Sequence, residues 1–131
     1  MAGNRVVARY RDGRMLKGST SDFLPTRDAF HVEPQEGGAP VVVRVADLKA
    51  IFFVRDFAGD PQHKKRNEFD PARPPIGRKI RVLFQDGEVM VGTTQGYQPG
   101  RPGFFVVPAD PSANTERCFV VAASTREVTL L

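Results

Sequence analysis

The side chains best suited to catalysis or metal binding are scarce and scattered in this sequence. Two histidines, His31 and His63, and one cysteine, Cys118, stand in separate segments without the spacing of zinc ligands. His31 follows Phe30 in a strand-like run, so we expect it to pack rather than to react. His63 lies in a charged, proline-rich stretch, where we expect it to be solvated. The sequence therefore predicts no catalytic residue, no metal site and no cofactor.

The lone cysteine also indicates the compartment. Cys118 precedes Phe-Val-Val, which predicts a buried thiol, and a single cysteine cannot form an internal disulfide. No run of residues approaches the roughly 18 apolar positions that a membrane-spanning helix needs. The first residues are polar and lead directly into a strand-like pattern, so we expect no signal peptide. These features predict a cytoplasmic protein that does not enter the membrane.

Basic side chains are the better candidates for binding. The net charge of +4 comes from 19 Lys and Arg against 15 Asp and Glu. The surplus is +2 over residues 1–58 (nine against seven), +1 over 59–77 (four against three) and +1 over 78–131 (six against five), so no part is strongly basic. The candidate contacts with a partner or a nucleic acid are cations on one strand face, its hairpin, two matching loops and the middle of the chain: Arg5, Arg9, Arg11, Arg14, Lys17, Arg27, Arg101, Lys64, Lys65 and Arg66.

The chain contains an internal repeat. Residues 4–34 align without a gap on residues 78–108, with nine identities in 31 positions against roughly two expected from average composition. The identical positions include an Asp-Gly pair, a later glycine, and Pro and Arg in the loop that follows. After a three-residue insertion, residues 47–53 align more loosely with 124–130. The repeat predicts two similar domains, residues 1–58 and 78–131. The proline-rich residues 59–77 link them, with Phe69 as a candidate anchor.

Each half has the pattern of short strands. Val6, Ala8 and Tyr10 alternate with the basic face in the first half, and the Asp-Gly pair favours a tight hairpin with a loop of two or three residues. Gly18 and Gly92 fall inside the second strand of each half, where a glycine permits a sharp bend. Two further strands and a short turn before a fifth strand complete each half. We expect an all-β fold of two tandem five-stranded small barrels related by duplication.

Residues 6–32 resemble the first sequence motif of Sm-like proteins, and more broadly of SH3-like barrels. The features are an alternating strand, an Asp-Gly hairpin, a mid-strand glycine, a polar loop and an apolar strand. The whole chain resembles a family of uncharacterised bacterial proteins with two such halves. The resemblance implies small barrels and, through RNA binding and ring formation in Sm-like proteins, a nucleic-acid partner or a homo-oligomer joined through edge strands. The chain departs from the Sm pattern because Ala46-Asp47-Leu48-Lys49 replaces the Arg-Gly pair before the last strand.

Three functions remain open at this point. The first is a non-catalytic adaptor or regulatory module that binds another protein through loops or strand edges. The second is a binder of single-stranded RNA or DNA that uses Arg5, Arg9 and Arg11. A cyclic-dinucleotide receptor or an enzyme comes a distant third, because neither the receptor motifs nor the common catalytic motifs are present.

Overall fold

The computed structural model describes residues 3–57, 77–98, 100–110 and 114–131. In this part of the chain there is no α-helix, so the all-β prediction is confirmed. Ten strands form one antiparallel sheet. The strands are β1 (Asn4–Tyr10), β2 (Met15–Thr20), β3 (Ala29–Pro34), β4 (Val41–Arg44), β5 (Leu48–Val54), β6 (Arg78–Phe84), β7 (Val89–Thr94), β8 (Gly103–Pro108), β9 (Thr115–Val121) and β10 (Thr125–Leu130).

The order of the strands repeats. One half of the sheet runs β5-β1-β2-β3-β4, the other runs β10-β6-β7-β8-β9, and the two halves join where β5 pairs with β9. The first three strands recur 74 residues later, and the fifth recurs 77 residues later. A 3₁₀ turn precedes the fifth strand in both halves, at Val45–Asp47 and Ala122–Ser124. The second half therefore has the same strands in the same order, with the insertion where the sequence alignment places it.

The sheet does not close into a barrel, and this corrects the expected pair of closed barrels. Strand β5 uses one edge for β1 and the other for β9, and β9 lies between β5 and β8. Closure would require β4 to pair with β5 and β10 to pair with β9, but β5 and β9 use those edges to pair with each other. The ends of the ten-stranded sheet are β4 and β10.

The structure shows the length of the hairpin loops, which the sequence left open between two and three residues. The N–H of Tyr10 donates to the carbonyl of Arg14, and Gly13, with φ of 97°, donates back to the carbonyl of Tyr10. The loop therefore has three residues, and its last position has the left-handed backbone that glycine adopts without strain. Gly87 has φ of 93° and makes the matching bond to Phe84 in the second half.

The mid-strand glycines are required by a close approach of the next strand. A Cβ at Gly18 would lie 2.2 Å from the carbonyl oxygen of Glu33, and a Cβ at Gly92 would lie 2.1 Å from that of Val107. In each half the second and third strands therefore come closer there than any side chain allows, as the predicted bend implies.

Each half has its own apolar core, and the joining strands contribute to both. Val6 and Ala8 are fully buried in the first core, as the alternation predicts, and Ile80 and Val82 occupy the same places in the second. Phe119 belongs to β9 but packs into the first core. Burying one such large side chain stabilises the fold by roughly 1.5–3 kcal/mol, so the two halves stabilise each other.

No helix in the described ranges has the length and apolar character needed to cross a membrane.

Candidate binding surfaces

Strand β4 forms one end of the sheet and presents apolar side chains to solvent. Among the described residues it pairs with β3 alone, so the main-chain groups along its outer edge have no strand partner. Val43 points into the core, whereas Val41 is 37% exposed and Val42 is 59% exposed. An apolar, unpaired strand edge is a ready site for another extended chain.

Strand β10 forms the other end of the sheet and has a different character. Val128 and Leu130 pack against the second core, but Arg126 and Glu127 are exposed. The hydroxyl of Thr129 lies 3.4 Å from a carboxylate oxygen of Glu127, so both side chains share the opposite face of the strand. Charged residues on an edge strand discourage pairing with a further strand.

The junction between the halves is aromatic. Phe119 on β9 and Phe105 on β8 contact Phe23 and each other with ring centroids 5.1–6.2 Å apart, in edge-to-face orientations. The Arg117 guanidinium lies over the rings of Phe53 and Phe105, at 4.3 and 4.9 Å from their centroids. Edge-to-face pairs add about 0.5–1.5 kcal/mol beyond the area they bury.

A buried lysine also joins the halves. Lys49 on β5 is 6% exposed, and its ammonium donates to Asp86 at 2.7 Å and to Glu88, both in the second hairpin. It also lies 4.6 Å from the centroid of the Phe84 ring. The hydrogen bond from Lys49 holds the pKa of Asp86 below its ordinary value, and the backbone N–H of Glu88 adds to this effect. Lys49 is absent from the candidates predicted from the sequence, although a lysine within an apolar strand is a signal for such a site.

The first hairpin supplies its own cation at the corresponding place. Arg14, which aligns with Glu88, donates to Asp12 at 2.7 Å and lies 4.7 Å from the centroid of the Tyr10 ring. Tyr10 and Asp12 align with Phe84 and Asp86. The aromatic ring and the aspartate therefore recur in both hairpins, but a neighbouring strand provides the cation only in the second.

The predicted basic face exists, and the chain itself uses several of its donors. Arg5 donates to the carbonyl of Arg55 at 2.7 Å, and Lys17 donates to that of Phe57 at 3.2 Å. Arg11 donates to the carbonyl of Ala46 at 2.6 Å. Arg9 pairs with Met15 between the two strands and is half-buried. Arg5, Arg9 and Lys17 lie on the outward face of β1 and β2, while Arg11 and Arg14 lie at the hairpin.

The matching loop arginines are both exposed. Arg27 lies between β2 and β3, and Arg101 lies between β7 and β8, where its Nε donates to the Gln98 side chain at 2.8 Å. The loops themselves are held alike, because Val45 donates to the carbonyl of Asp28 at 2.9 Å, as Ala122 does to that of Pro102. None of these hydrogen bonds connects Arg27 or Arg101 to the basic face. The predicted contacts Lys64, Lys65 and Arg66, together with His63 and Phe69, lie outside the described residues.

His31, which aligns with Phe105 in the repeat, does not pack in the core, and this corrects the expectation that it packs. Its side chain is 58% exposed, and its Nδ1 lies 2.7 Å from Asp22, which also accepts from the His31 backbone N–H at 2.9 Å. This backbone bond is the main reason why the pKa of Asp22 lies below its ordinary value, followed by the side-chain bond from His31. Phe105 is covered by the first half of the chain, whereas the equivalent face at His31 meets solvent. A polar side chain suits that position.

The pair of Asp22 and His31 borders an open pocket of about 260 Å³ that also includes Ser19 and Glu33. Within the described ranges, no group of three or more His, Cys, Asp and Glu side chains could hold a metal ion. Cys118 is fully buried, as predicted.

Comparison with known proteins gives one assignment. No curated protein and no solved structure matches the chain. The model of a family of unknown function, DUF6982, matches residues 2–131. The chain, with its ten-stranded sheet and its two unlike edges, belongs to this DUF6982 family.

Proposed function

We propose that this protein is a non-catalytic adaptor that binds another protein along the outer edge of β4. The observation that carries the proposal is the exposure of Val41 and Val42 on a strand with no outer partner among the described residues. A strand added there would gain main-chain hydrogen bonds and cover both valines. The exposed loops of Arg27 and Arg101 are secondary candidate contacts.

The proposal includes the fold relationship. Each half derives from a Sm-like or SH3-like unit, opened where the two halves join. The repeated strand order, the separate apolar cores and the close approach at Gly18 and Gly92 support this origin.

The test places a photo-reactive benzophenone side chain at position 42 of the full chain in living cells. We expect discrete protein adducts that survive nuclease treatment. A matched probe at Val107, which is 51% exposed but lies on the inner strand β8, should give none of them. Adducts that disappear with nuclease, or that form equally at both positions, would contradict the proposal.

A second candidate is binding of single-stranded nucleic acid, favoured by the shared outward face of Arg5, Arg9 and Lys17. Protein binding ranks first because Arg5 and Lys17 already donate to the main chain. The distinguishing experiment is a salt titration with a random-sequence oligonucleotide. A nucleic-acid binder loses affinity steeply as salt rises, because each neutralised phosphate releases counterions.

In that experiment, the double variant Arg9→Glu with Arg11→Glu should abolish binding if the basic face is the site. The control is Arg81→Glu with Arg126→Glu, which changes net charge equally on other strands. Under the protein-binding proposal, neither the wild type nor the control binds the oligonucleotide at low salt.

A further inference from the structure

The junction between the halves is a template for a strand that pairs with the outer edge of β4. Strand β9 occupies in the second half the place of β4 in the first, and it carries β5 on its outer edge. In that pairing Ala50 lies opposite Val120 and Ile51 opposite Phe119. The repeat offset of 77 residues maps β5 onto β10 and β9 onto β4. The same pairing between two copies of the chain would therefore place β10 of one copy along β4 of the other. This β10 would place Glu127 opposite Val43 and Val128 opposite Val42.

The first mismatch in that arrangement is Glu127. It would take the place of Ala50, which is fully buried at the junction and packs in the second core. Glu127 would meet Val43, a fully buried residue of the first core. A carboxylate without a cation partner is strongly disfavoured in such surroundings.

The second mismatch is at the hairpin. Lys49 enters the junction between Phe84 and the carboxylates of Asp86 and Glu88. In a second copy, Arg126 would take the place of Lys49, and it would meet Arg14 instead of Glu88. Arg14 already covers the Tyr10 ring and already pairs with Asp12. Like charges at this point oppose the approach of a second copy.

The two edges are thus unequal, and β10 of a second copy does not fit the outer edge of β4. We propose that β4 binds an extended, largely apolar segment of a different protein, with a small residue opposite Val43 and an acidic or neutral residue beside Arg14. The inference rests on the proposed function and specifies the partner. It predicts a chain that stays monomeric, whereas the resemblance to Sm-like proteins implies homo-oligomers joined through edge strands.

The probes are three soluble peptides with Gly-Ser tails. One carries the β5 sequence Leu48–Val54 with Lys49 replaced by glutamate, one carries the unaltered β5 sequence, and one carries the β10 sequence Thr125–Leu130. Each is titrated into the ¹⁵N-labelled full-length protein. We expect the glutamate peptide to shift the amide signals of Val41–Arg44 and of the first hairpin. It should bind on the order of ten-fold more tightly than the lysine peptide, because an opposite charge replaces a like charge beside Arg14. The β10 peptide should not bind.

Val42→Lys should abolish binding, because it places a charge on the docking edge. Val107→Lys, a matched change at an exposed valine of an inner strand, should leave binding unchanged. Equal binding of all three peptides, no binding of any, or shifts confined to the loops would overturn the inference. So would concentration-dependent self-association in sedimentation experiments that Val42→Lys removes. If the photo-reactive probe at position 42 still captures a protein, the proposed function survives such a failure. If it captures none, both fail.

Discussion

The close approach of strands at the mid-strand glycines predicts a large effect of a single methyl group. In Gly92→Ala, the new Cβ would lie 2.1 Å from the carbonyl oxygen of Val107 and 2.7 Å from a methyl carbon of Val106. An ordinary carbon–oxygen contact is about 3.3 Å, so the strands must separate by about 1 Å. The obstacle is main chain, which cannot rotate away as a side chain can. Moreover, β7 and β8 pair at only two positions, so a displacement at Gly92 disturbs a large part of their pairing.

The magnitude follows from two opposing contributions. Overpacking costs about 1–3 kcal/mol, and a contact with backbone belongs at the upper end of that range. Replacing glycine with alanine also lowers the conformational entropy of the unfolded chain, which raises the free energy of unfolding by about 0.4–1 kcal/mol. We expect Gly92→Ala to lower the free energy of unfolding by about 2–2.5 kcal/mol. At this chain length the Tm would fall by roughly 7–9 °C.

The assay is thermal and urea unfolding followed by circular dichroism, since the chain has no tryptophan. Gly18→Ala should behave like Gly92→Ala, because its Cβ would lie 2.2 Å from a carbonyl oxygen. Gly87→Ala is the control, since nothing lies within 4 Å of its Cβ and only its positive φ is unfavourable. Its cost should be smaller, about 1–2 kcal/mol. An unchanged or raised Tm in Gly92→Ala would show that the second and third strands do not approach as closely as the structure indicates.

Three further predictions concern Lys49, Asp86 and Cys118. Lys49→Ala should lower the free energy of unfolding by about 2–3 kcal/mol, since it removes a packed stem and a paired charge. In a double-mutant cycle Asp86→Asn should cost about 1 kcal/mol less in that background than in the wild type. The pKa of Asp86 is lowered in the folded state, so its contribution is present above the unfolded value of about 3.9 and is lost as pH falls through the folded value. Asp86→Asn should therefore flatten the acid limb of a stability–pH curve, and an unchanged limb would contradict the role of Lys49. Cys118 should react with a thiol reagent only at the rate of unfolding, because it is fully buried; rapid labelling of the native protein would contradict this.

Much of the fold could be predicted from the sequence because its signals are local. Alternating apolar residues identify strands, Asp-Gly identifies hairpins, and an ungapped repeat shows that whatever the first half forms, the second forms too. The inward positions of Val6 and Ala8 follow from this alternation, as does the burial of Cys118 from its apolar neighbours. The closed barrels were not correct, because closure depends on which strand takes each edge of β5, and this choice is made between distant segments.

The candidate binding surfaces also combine features that have local sequence signals with features that depend on contacts between distant segments. Local sequence patterns were enough to predict the repeated strands, the outward basic face and the matching loops. The pairing of β5 with β9 could not be predicted from local patterns, and this one pairing covers Phe105 while leaving its counterpart His31 in solvent. It also buries Lys49 against the second hairpin and leaves Val42 on an unpaired edge of the described sheet. The physical reason is that hydrogen bonding along a strand edge is the same for nearly any sequence, so the contacts of side chains across the junction select the neighbour.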